Sequence, residues 1–143
     1  NSPVDRDGTL LKEIQVIKDG IALQRHGDFR FGYYLGEENP TGVYSNMKVE
    51  CGNTSETELK KEPYIECLKF SGMQMDSFSG FFGGEVRLGI YFDGTNTYPV
   101  TGFSISGNIK EKRSELTLSK EQISTSSGYE GPKYILVKGM DIA

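Results

Sequence analysis

The sequence predicts a mainly β fold, an antiparallel sheet or barrel-like domain with one or two short helices. Three observations support this prediction. The 143 residues include 18 glycines, eight tyrosines and eight phenylalanines, a composition typical of a glycine-punctuated β domain. From residue 85 to residue 92 polar and apolar side chains alternate with the period of a half-buried strand. Asp93-Gly94 then supplies a turn, because both residues tolerate positive φ. The length corresponds to a single domain, residues 1–143.

A long hairpin is the main predicted element. Its first strand ends at Phe92, and its second runs from Tyr98 to Ser106. The alternation predicts that Val86, Leu88 and Ile90 face the core, since every second side chain of a strand points to the same face.

Three glycines precede the hairpin, at Gly80, Gly83 and Gly84. Glycine inside a strand often marks a bulge or a place where another backbone approaches closely. We therefore expect either a bulge here or an edge at which a second extended chain can form hydrogen bonds.

Shorter elements are predicted on both sides of this hairpin. Strand patterns cover 10–17, 21–24, 45–50, 64–70 and 134–137, with another short apolar run at Ile123. Residues 29–36 are consistent with a helical turn or an irregular segment. Ser55 and Glu58 have capping-box spacing and predict a short helix over 55–61. The charge density of 108–116 predicts a solvated helix, and the glycines around Gly131-Pro132 predict a turn.

Charge and hydropathy exclude several classes of protein. Sixteen basic and twenty acidic residues give a net charge of −4 with no basic run, so nonspecific nucleic-acid binding is not expected. No apolar stretch approaches the roughly 18 residues that span a bilayer. Cys51 and Cys67 lack metal-ligand spacing. We expect two reduced thiols in a cytoplasmic protein, and a disulfide is the alternative.

Few residues are suited to catalysis. His26 is the one histidine, and its position between Arg25 and Gly27 is typical of the surface. The serines near residue 125 therefore have no evident base. Asp76 and Glu85 could act as an acid–base pair if their carboxyl groups met, but Asp76 before Ser77 is more simply interpreted as a turn or capping residue. Four tyrosines could instead form an aromatic binding face or divide between core and sheet surface: Tyr33, Tyr34, Tyr91 and Tyr98.

Two segments carry a family resemblance. Residues 76–85 read DSFSGFFGGE, and residues 99–108 read PVTGFSISGN. In this order and spacing they resemble the C-terminal domain of the TldD/PmbA family of zinc metallopeptidases, which take part in peptide maturation and carry the label of modulators of DNA gyrase. The resemblance extends over nearly the whole chain but covers only the C-terminal part of a family member.

The resemblance implies where catalysis would lie. Catalytic members bind zinc through a His-Glu-x-x-x-His helix and a cysteine in the loop before the closing strand. No His-Glu pair occurs in this sequence, and its matching loop, residues 124–130, has no cysteine. The chain is therefore nearer the PmbA-like branch, and we expect no catalytic residue, metal ligand or cofactor in it.

The implied function is a non-catalytic domain that scaffolds a substrate groove and a subunit interface. The candidate substrate-binding residues are Gly80, Gly83, Gly84 and Glu85. The expected partners are a peptide or unfolded protein substrate, the N-terminal part of the parent protein, and a family subunit in a dimer. Two alternatives remain at the level of the sequence: a free-standing module that binds peptide or carbohydrate through its tyrosines, and an enzyme that uses Asp76 and Glu85.

Overall fold

A computed structural model describes residues 3–143 and shows a mainly β fold. Three short helices accompany the strands, one more than the upper expectation: α1 (Phe29–Tyr34), α2 (Glu56–Leu59) and α3 (Ile109–Lys112). The strands are β1 (Ile17–Lys18), β2 (Ile21–Ala22), β3 (Met47–Lys48), β4 (Tyr64–Met75), β5 (Phe81–Phe92), β6 (Thr97–Val100), β7 (Phe103–Asn108), β8 (Leu116–Leu118), β9 (Gln122–Ser124), β10 (Tyr129–Pro132), β11 (Ile135–Val137) and β12 (Asp141–Ile142). Among these described strands the sheets are open rather than closed into a barrel.

The chain forms two compact units. One comprises the chain through Met47 together with Ser126–Tyr129, and the other comprises Lys48–Thr125 with Glu130–Ala143.

The first unit contains the β1–β2 hairpin and α1. Asp19 and Gly20 form its turn with φ values of 51° and 74°, which explains why an Asp-Gly pair stands there. The predicted strand over 10–17 is much shorter than expected, because only Ile17 and Lys18 pair with β2. Within residues 29–36 the helix α1 forms from Phe29 to Tyr34, and the Asp28 side chain caps it by accepting a hydrogen bond from the Phe31 amide at 2.9 Å.

Asp5 organises the start of the first unit. One carboxylate oxygen accepts hydrogen bonds from the amides of Asp7 and Thr9, and the other accepts one from Val43. Partial burial opposes the charge, but the hydrogen bonds from Thr9, Val43 and Asp7 lower the pKa of Asp5 below its usual value. A single side chain therefore joins two segments that are 38 residues apart.

The largest sheet lies in the second unit. Its order is β12-β7-β5-β4, and β6 also pairs with β5 beside β7. The 12-residue strand β5 is therefore central, paired with β4 along one side and with β7 and then β6 along the other. The predicted turn after Phe92 is confirmed, since the Asp93 carboxylate accepts the amides of Thr95 and Asn96.

Smaller elements complete the second unit. β11 pairs with β8, and residues 130–132 of β10 pair with β9. The cap of α2 is confirmed, since Ser55 Oγ accepts the Glu58 amide at 3.2 Å. The expected turn at Gly131-Pro132 is wrong, because both residues lie in β10.

The prediction for the inward face of β5 is wrong at Leu88. Val86 is fully buried and Ile90 is partly buried, but Leu88 is 45% exposed. The pairing of β5 with β4 shifts register between Val86 and Leu88, so that Arg87 has no direct partner on β4. One extra residue reverses the faces of a strand, which places Leu88 outside.

Candidate functional site

Gly83 and Gly84 do not lie at a sheet edge. Gly83 pairs with Gln74 of β4 and with Ser106 of β7, and Gly84 pairs with Met73 and Ile105 in the same way. Both sides of this part of β5 are occupied by the chain's own strands. A second extended chain therefore cannot pair with the backbone of these two glycines, and the expected edge is absent from this part of β5.

The two glycines instead allow the neighbouring strands to approach closely. A Cβ on Gly84 would lie 2.6 Å from the carbonyl oxygen of Gly72, and a Cβ on Gly83 would lie 3.1 Å from the carbonyl oxygen of Ile105. Neither glycine has a positive φ, so no left-handed conformation requires them. The sequence allowed two interpretations of Gly83 and Gly84. The close approach of a neighbouring backbone agrees with this geometry, whereas a bulge with positive φ at these residues does not.

Gly80 has a different role, at the end of the β4–β5 turn. It is buried with φ of 83°, and a Cβ there would meet Asn108 Oδ1 at 2.9 Å. Its carbonyl accepts the Ile109 amide, which joins the turn to the start of α3. Gly80 therefore fixes the turn rather than offering a free surface.

Side-chain hydrogen bonds fix the same turn. Asp76 accepts the Phe78 amide at 2.9 Å and the Ser79 hydroxyl at 2.6 Å. The bond from Ser79 and then the bond from Phe78 lower the pKa of Asp76. Asn108 Nδ2 and Lys110 Nζ donate to the carbonyls of Ser79 and Phe78 respectively. These bonds hold the turn in one conformation.

Glu85 and Asp76 have separate partners. Glu85 accepts the Ser71 hydroxyl at 2.7 Å and pairs with Arg87 at 3.2 Å, whereas Asp76 serves the turn. The lowered pKa of Asp76 is also the opposite of what a carboxylic acid that donates protons needs. The arrangement gives no support to an enzyme that uses these two groups as an acid–base pair.

The four candidate tyrosines form two pairs, one in each unit. The ring centroids of Tyr33 and Tyr34 are 6.0 Å apart, in an edge-to-face arrangement. The rings of Tyr91 on β5 and Tyr98 on β6 stack on each other, with their centroids 6.3 Å apart. Each pair is partly or largely exposed.

A lysine-centred cluster in the second unit was not predicted. Lys60 Nζ lies 2.9 Å from Glu56, 3.0 Å from Glu66 and 4.2 Å from the centre of the Tyr134 ring. Burial opposes its charge, but the bonds to Glu56, Glu66 and Tyr134 raise the pKa of Lys60 above its usual value. Lys133 adds a second ammonium group near Glu56, at 3.6 Å. A lysine held protonated in this way is a structural cation rather than a nucleophile.

The residues of this cluster are spread over the sequence from 56 to 134, and contacts of Glu56 and Lys60 with later residues join them. Only the Glu56 and Lys60 spacing, one helical turn, was a signal available in the sequence.

Two of the clefts in the described part of the first unit differ widely in volume. The larger, about 530 Å³, has a volume within the range of ligand sites. Its charged lining residues are Asp7, Lys12 and Glu38. The smaller, about 60 Å³, contains His26 beside Arg25 and Glu37. Such a volume is well below that of a site for an organic ligand.

Zinc is the metal that the family resemblance implies. Over residues 3–143, His, Cys, Asp and Glu side chains do not converge in any group of three or more that could hold a metal ion. His26 lies in the first unit, and both Cys51 and Cys67 lie in the second as free thiols. Burial, followed by the neighbouring Glu66 charge, raises the pKa of Cys67.

The sequence matches the family described as "PmbA/TldA metallopeptidase C-terminal domain" over residues 1–143. The chain belongs to this family. The resemblance inferred from residues 76–85 and 99–108 is thereby confirmed. No curated protein sequence matches this PmbA/TldA C-terminal domain.

Two solved structures share the fold of this PmbA/TldA domain. One is a candidate modulator of a DNA gyrase from Thermotoga maritima, with a TM-score of 0.79 and 22% identity over 99% of this chain and 35% of that chain. The other is a candidate modulator of DNA gyrase from Bacteroides thetaiotaomicron, with a TM-score of 0.79 and 20% identity over 99% of this chain and 33% of that chain. The PmbA/TldA domain thus spans about a third of either protein. No described helix in it is both long and apolar enough to cross a membrane.

Proposed function

We propose that this chain is the non-catalytic C-terminal domain of a peptide-processing protein of the PmbA/TldA family. Its role is to hold the substrate and to form the contacts by which the rest of the protein and a partner subunit assemble. The partner, or the N-terminal part of the parent, would supply the zinc centre. The observation that carries this proposal is the apolar surface of the domain.

Apolar side chains are distributed unusually for a domain of this size. Among the described large hydrophobic residues, Leu59 and Val86 are buried, whereas those exposed occur in both units. In the first unit Phe29 and Phe31 of α1 and Leu35, which follows the helix, are 57–62% exposed. Single exposed apolar residues are normal, but a run of them on one element is typical of an interaction surface.

The β4–β5 turn presents the most exposed of these side chains. Phe78 is 91% exposed, and Met75 beside it is 78% exposed. The turn is held rigid by the Asp76, Asn108 and Lys110 bonds, so little conformational entropy is lost when Phe78 binds a partner. Burying one phenylalanine side chain in an interface contributes about 1.5–3 kcal/mol of binding free energy. Because the turn is already ordered, the cost of ordering it on binding offsets little of this free energy. We therefore assign the turn to an assembly interface.

Replacement of Phe78 tests this role in the full-length parent, studied alone and with a zinc-binding family subunit. Phe78→Ser is expected to reduce assembly, measured by size-exclusion chromatography with light scattering, and to reduce peptide hydrolysis in parallel. Phe78→Leu keeps an apolar side chain and should retain both. Because the turn bonds involve the backbone of Phe78, each variant should unfold within about 0.5 kcal/mol of the wild type in urea. A Phe78→Ser protein that assembles and processes peptide normally contradicts the assignment.

A further inference from the structure

Asp-Gly pairs occur at three turns of the described chain. Glycine has no side chain, so its backbone nitrogen can reach the carboxyl carbon of the preceding aspartate with little hindrance. Such an attack forms a cyclic succinimide, and hydrolysis of the ring yields aspartate or isoaspartate. The reaction requires a carboxyl group and an amide that other bonds do not hold. The three pairs differ in this respect: Asp7-Gly8, Asp19-Gly20 and Asp93-Gly94.

Asp7-Gly8 is held through its backbone. Gly8 N donates to the Asp5 carbonyl at 3.1 Å, and Asp7 N donates to Asp5 Oδ1 at 3.0 Å. The Asp7 carboxylate lies 4.0 Å from Arg6 Nε. The nitrogen that would attack is therefore already engaged, and the backbone of Asp7 is fixed by its own bond.

Asp93-Gly94 is held through its carboxylate. Asp93 Oδ1 accepts the amides of Thr95 at 2.8 Å and Asn96 at 2.7 Å. The bonds from Asn96 and then Thr95 also lower the pKa of Asp93. Ring closure expels a carboxyl oxygen as water, which requires the protonated acid, so a lower pKa slows it. Both the geometry and the charge of Asp93 oppose the reaction.

Asp19-Gly20 lacks these restraints. Within residues 3–143, no hydrogen bond or ion pair engages the Asp19 carboxylate or the Gly20 amide. Both residues are exposed. Asp19 is also the one described residue other than glycine with a positive φ, 51°. L residues adopt this conformation at a cost in free energy, so leaving it releases strain.

The hairpin around this turn is short enough to open. β1 and β2 contribute two residues each, and all four are exposed. They form a sheet of their own, with no third strand among the described residues. A hairpin of two strands is marginally stable, so it opens more readily than a sheet with a buried face. Opening lets Asp19 rotate to the conformation in which its carboxyl carbon meets Gly20 N.

We propose that Asp19-Gly20 is a site of spontaneous isoaspartate formation. Gly20 N attacks Asp19 Cγ, so that an N–Cγ bond forms and the carboxyl OH leaves with the amide proton as water. Water then adds to the main-chain carbonyl carbon of Asp19 and breaks its bond to Gly20 N. The chain now continues through Cγ, and the former main-chain carbonyl becomes the free carboxylate. One water is released and one is consumed, so no other reactant is required.

The modification alters the hairpin in which it occurs. Isoaspartate adds one carbon to the backbone of the two-residue turn that joins β1 to β2. Two-residue turns fix the register of the strands that they join, so the longer path no longer fits the pairing. A further backbone bond of the hairpin, from Leu23 N to the Val16 carbonyl at 2.8 Å, should be lost with it. Formation of isoaspartate therefore releases β2 from β1.

Peptide mapping of the full-length parent tests the site. The protein is kept at 37 °C and pH 6 for several weeks, and isoaspartate is located by tandem mass spectrometry with electron-based fragmentation. Residue 19 should contain at least about tenfold more isoaspartate than residue 7 or residue 93, because those sites must first break hydrogen bonds. In urea-unfolded protein the three sites should react at similar rates. Asp19→Glu, which would need a larger ring, should abolish the reaction at residue 19.

Hydrogen exchange tests the consequence for the hairpin. The Leu23 amide should exchange faster in aged wild-type protein, in proportion to its isoaspartate content, whereas aged Asp19→Glu should match its own unaged sample. Equal isoaspartate at the three sites of the folded protein, or none at residue 19, overturns the proposal. So does an unchanged Leu23 exchange rate in protein that has isomerised. Neither measurement involves assembly or peptide hydrolysis, so the result is independent of the proposed function.

Discussion

The alternation of buried and exposed side chains along β5 is interrupted at Arg87. Val86 is inaccessible to solvent, while Leu88 two positions later is 45% exposed. The second side of β5 also changes partner here, from β7 to β6, with Thr101 and Gly102 between them. Thr101 Oγ1 donates to the Arg87 carbonyl and the Gly102 amide donates to the Val86 carbonyl, which satisfies the backbone where the pairing is irregular.

The two apolar positions should therefore differ in their effect on stability. Val86→Ala removes fully buried methyl groups and should cost roughly 1–3 kcal/mol, whereas Leu88→Ala should cost under about 1 kcal/mol. Urea unfolding of the two variants measures the difference. Equal losses would mean that Leu88 lies in the core, as strict alternation predicts.

These residues show which features of β5 can be predicted from the sequence and which cannot. The alternation of residues 85–92 identifies the strand and its turn, because both depend on local geometry. The extra residue at Arg87 depends on how β4 and β7 pair with β5, which is a long-range property. The strand pattern of residues 64–70 likewise ends before the observed strand, since β4 continues to Met75.

At the scale of elements, the position of β5 decides what the glycines do. A hairpin of β5 with β6 and β7 was predicted, and the same strand also pairs with β4 from Phe82 to Phe92, except at Arg87. For Gly83 and Gly84 the sequence left open a bulge or the close approach of another backbone, and the backbones that approach are those of the chain's own β4 and β7. These partners were not predicted, because the order of strands in a sheet is not encoded in the periodicity of any one strand.

Alanine at Gly84 and at Gly72 should have opposite consequences. Gly84→Ala places a Cβ 2.6 Å from the Gly72 carbonyl oxygen and should cost roughly 1–3 kcal/mol. Gly72→Ala meets open space and restricts the unfolded chain, so stability should stay the same or rise by up to about 1 kcal/mol. Thermal and urea unfolding of the pair checks this. A stable Gly84→Ala variant would contradict the close packing of β4 on β5.

At the scale of the whole molecule, stability depends on carboxylates that are better stabilised in the folded state. Hydrogen bonds or ion pairs lower the pKa of Asp5, Glu56, Asp76 and Asp93. The four groups are distributed over both units. None of them was selected by sequence reasoning for this property, since their partners are set by turns and by packing.

The sign of the resulting pH dependence follows from linkage. A carboxylate with a folded pKa below its unfolded value stabilises the fold above the unfolded value and loses that contribution as pH falls through the folded one. The usual values are 3.8 for aspartate and 4.5 for glutamate. Stability should therefore be constant near neutral pH, begin to fall as pH approaches 4.5, and continue to fall below 3.8.

Asp93→Asn tests one contribution without removing the turn. The amides of Thr95 and Asn96 both bond to Asp93 Oδ1, and the asparagine carbonyl can still accept them. The bonds from Asn96 and Thr95, which lower the pKa of Asp93, then no longer act on a titrating group. Urea midpoints measured from pH 7 to pH 3 should fall less steeply for Asp93→Asn than for the wild type. Glu62→Gln, at an exposed position before β4, is the control and should leave the slope unchanged. If the urea midpoints of Asp93→Asn and the wild type fall equally steeply with decreasing pH, the Asp93 carboxylate does not contribute to the loss of stability in acid.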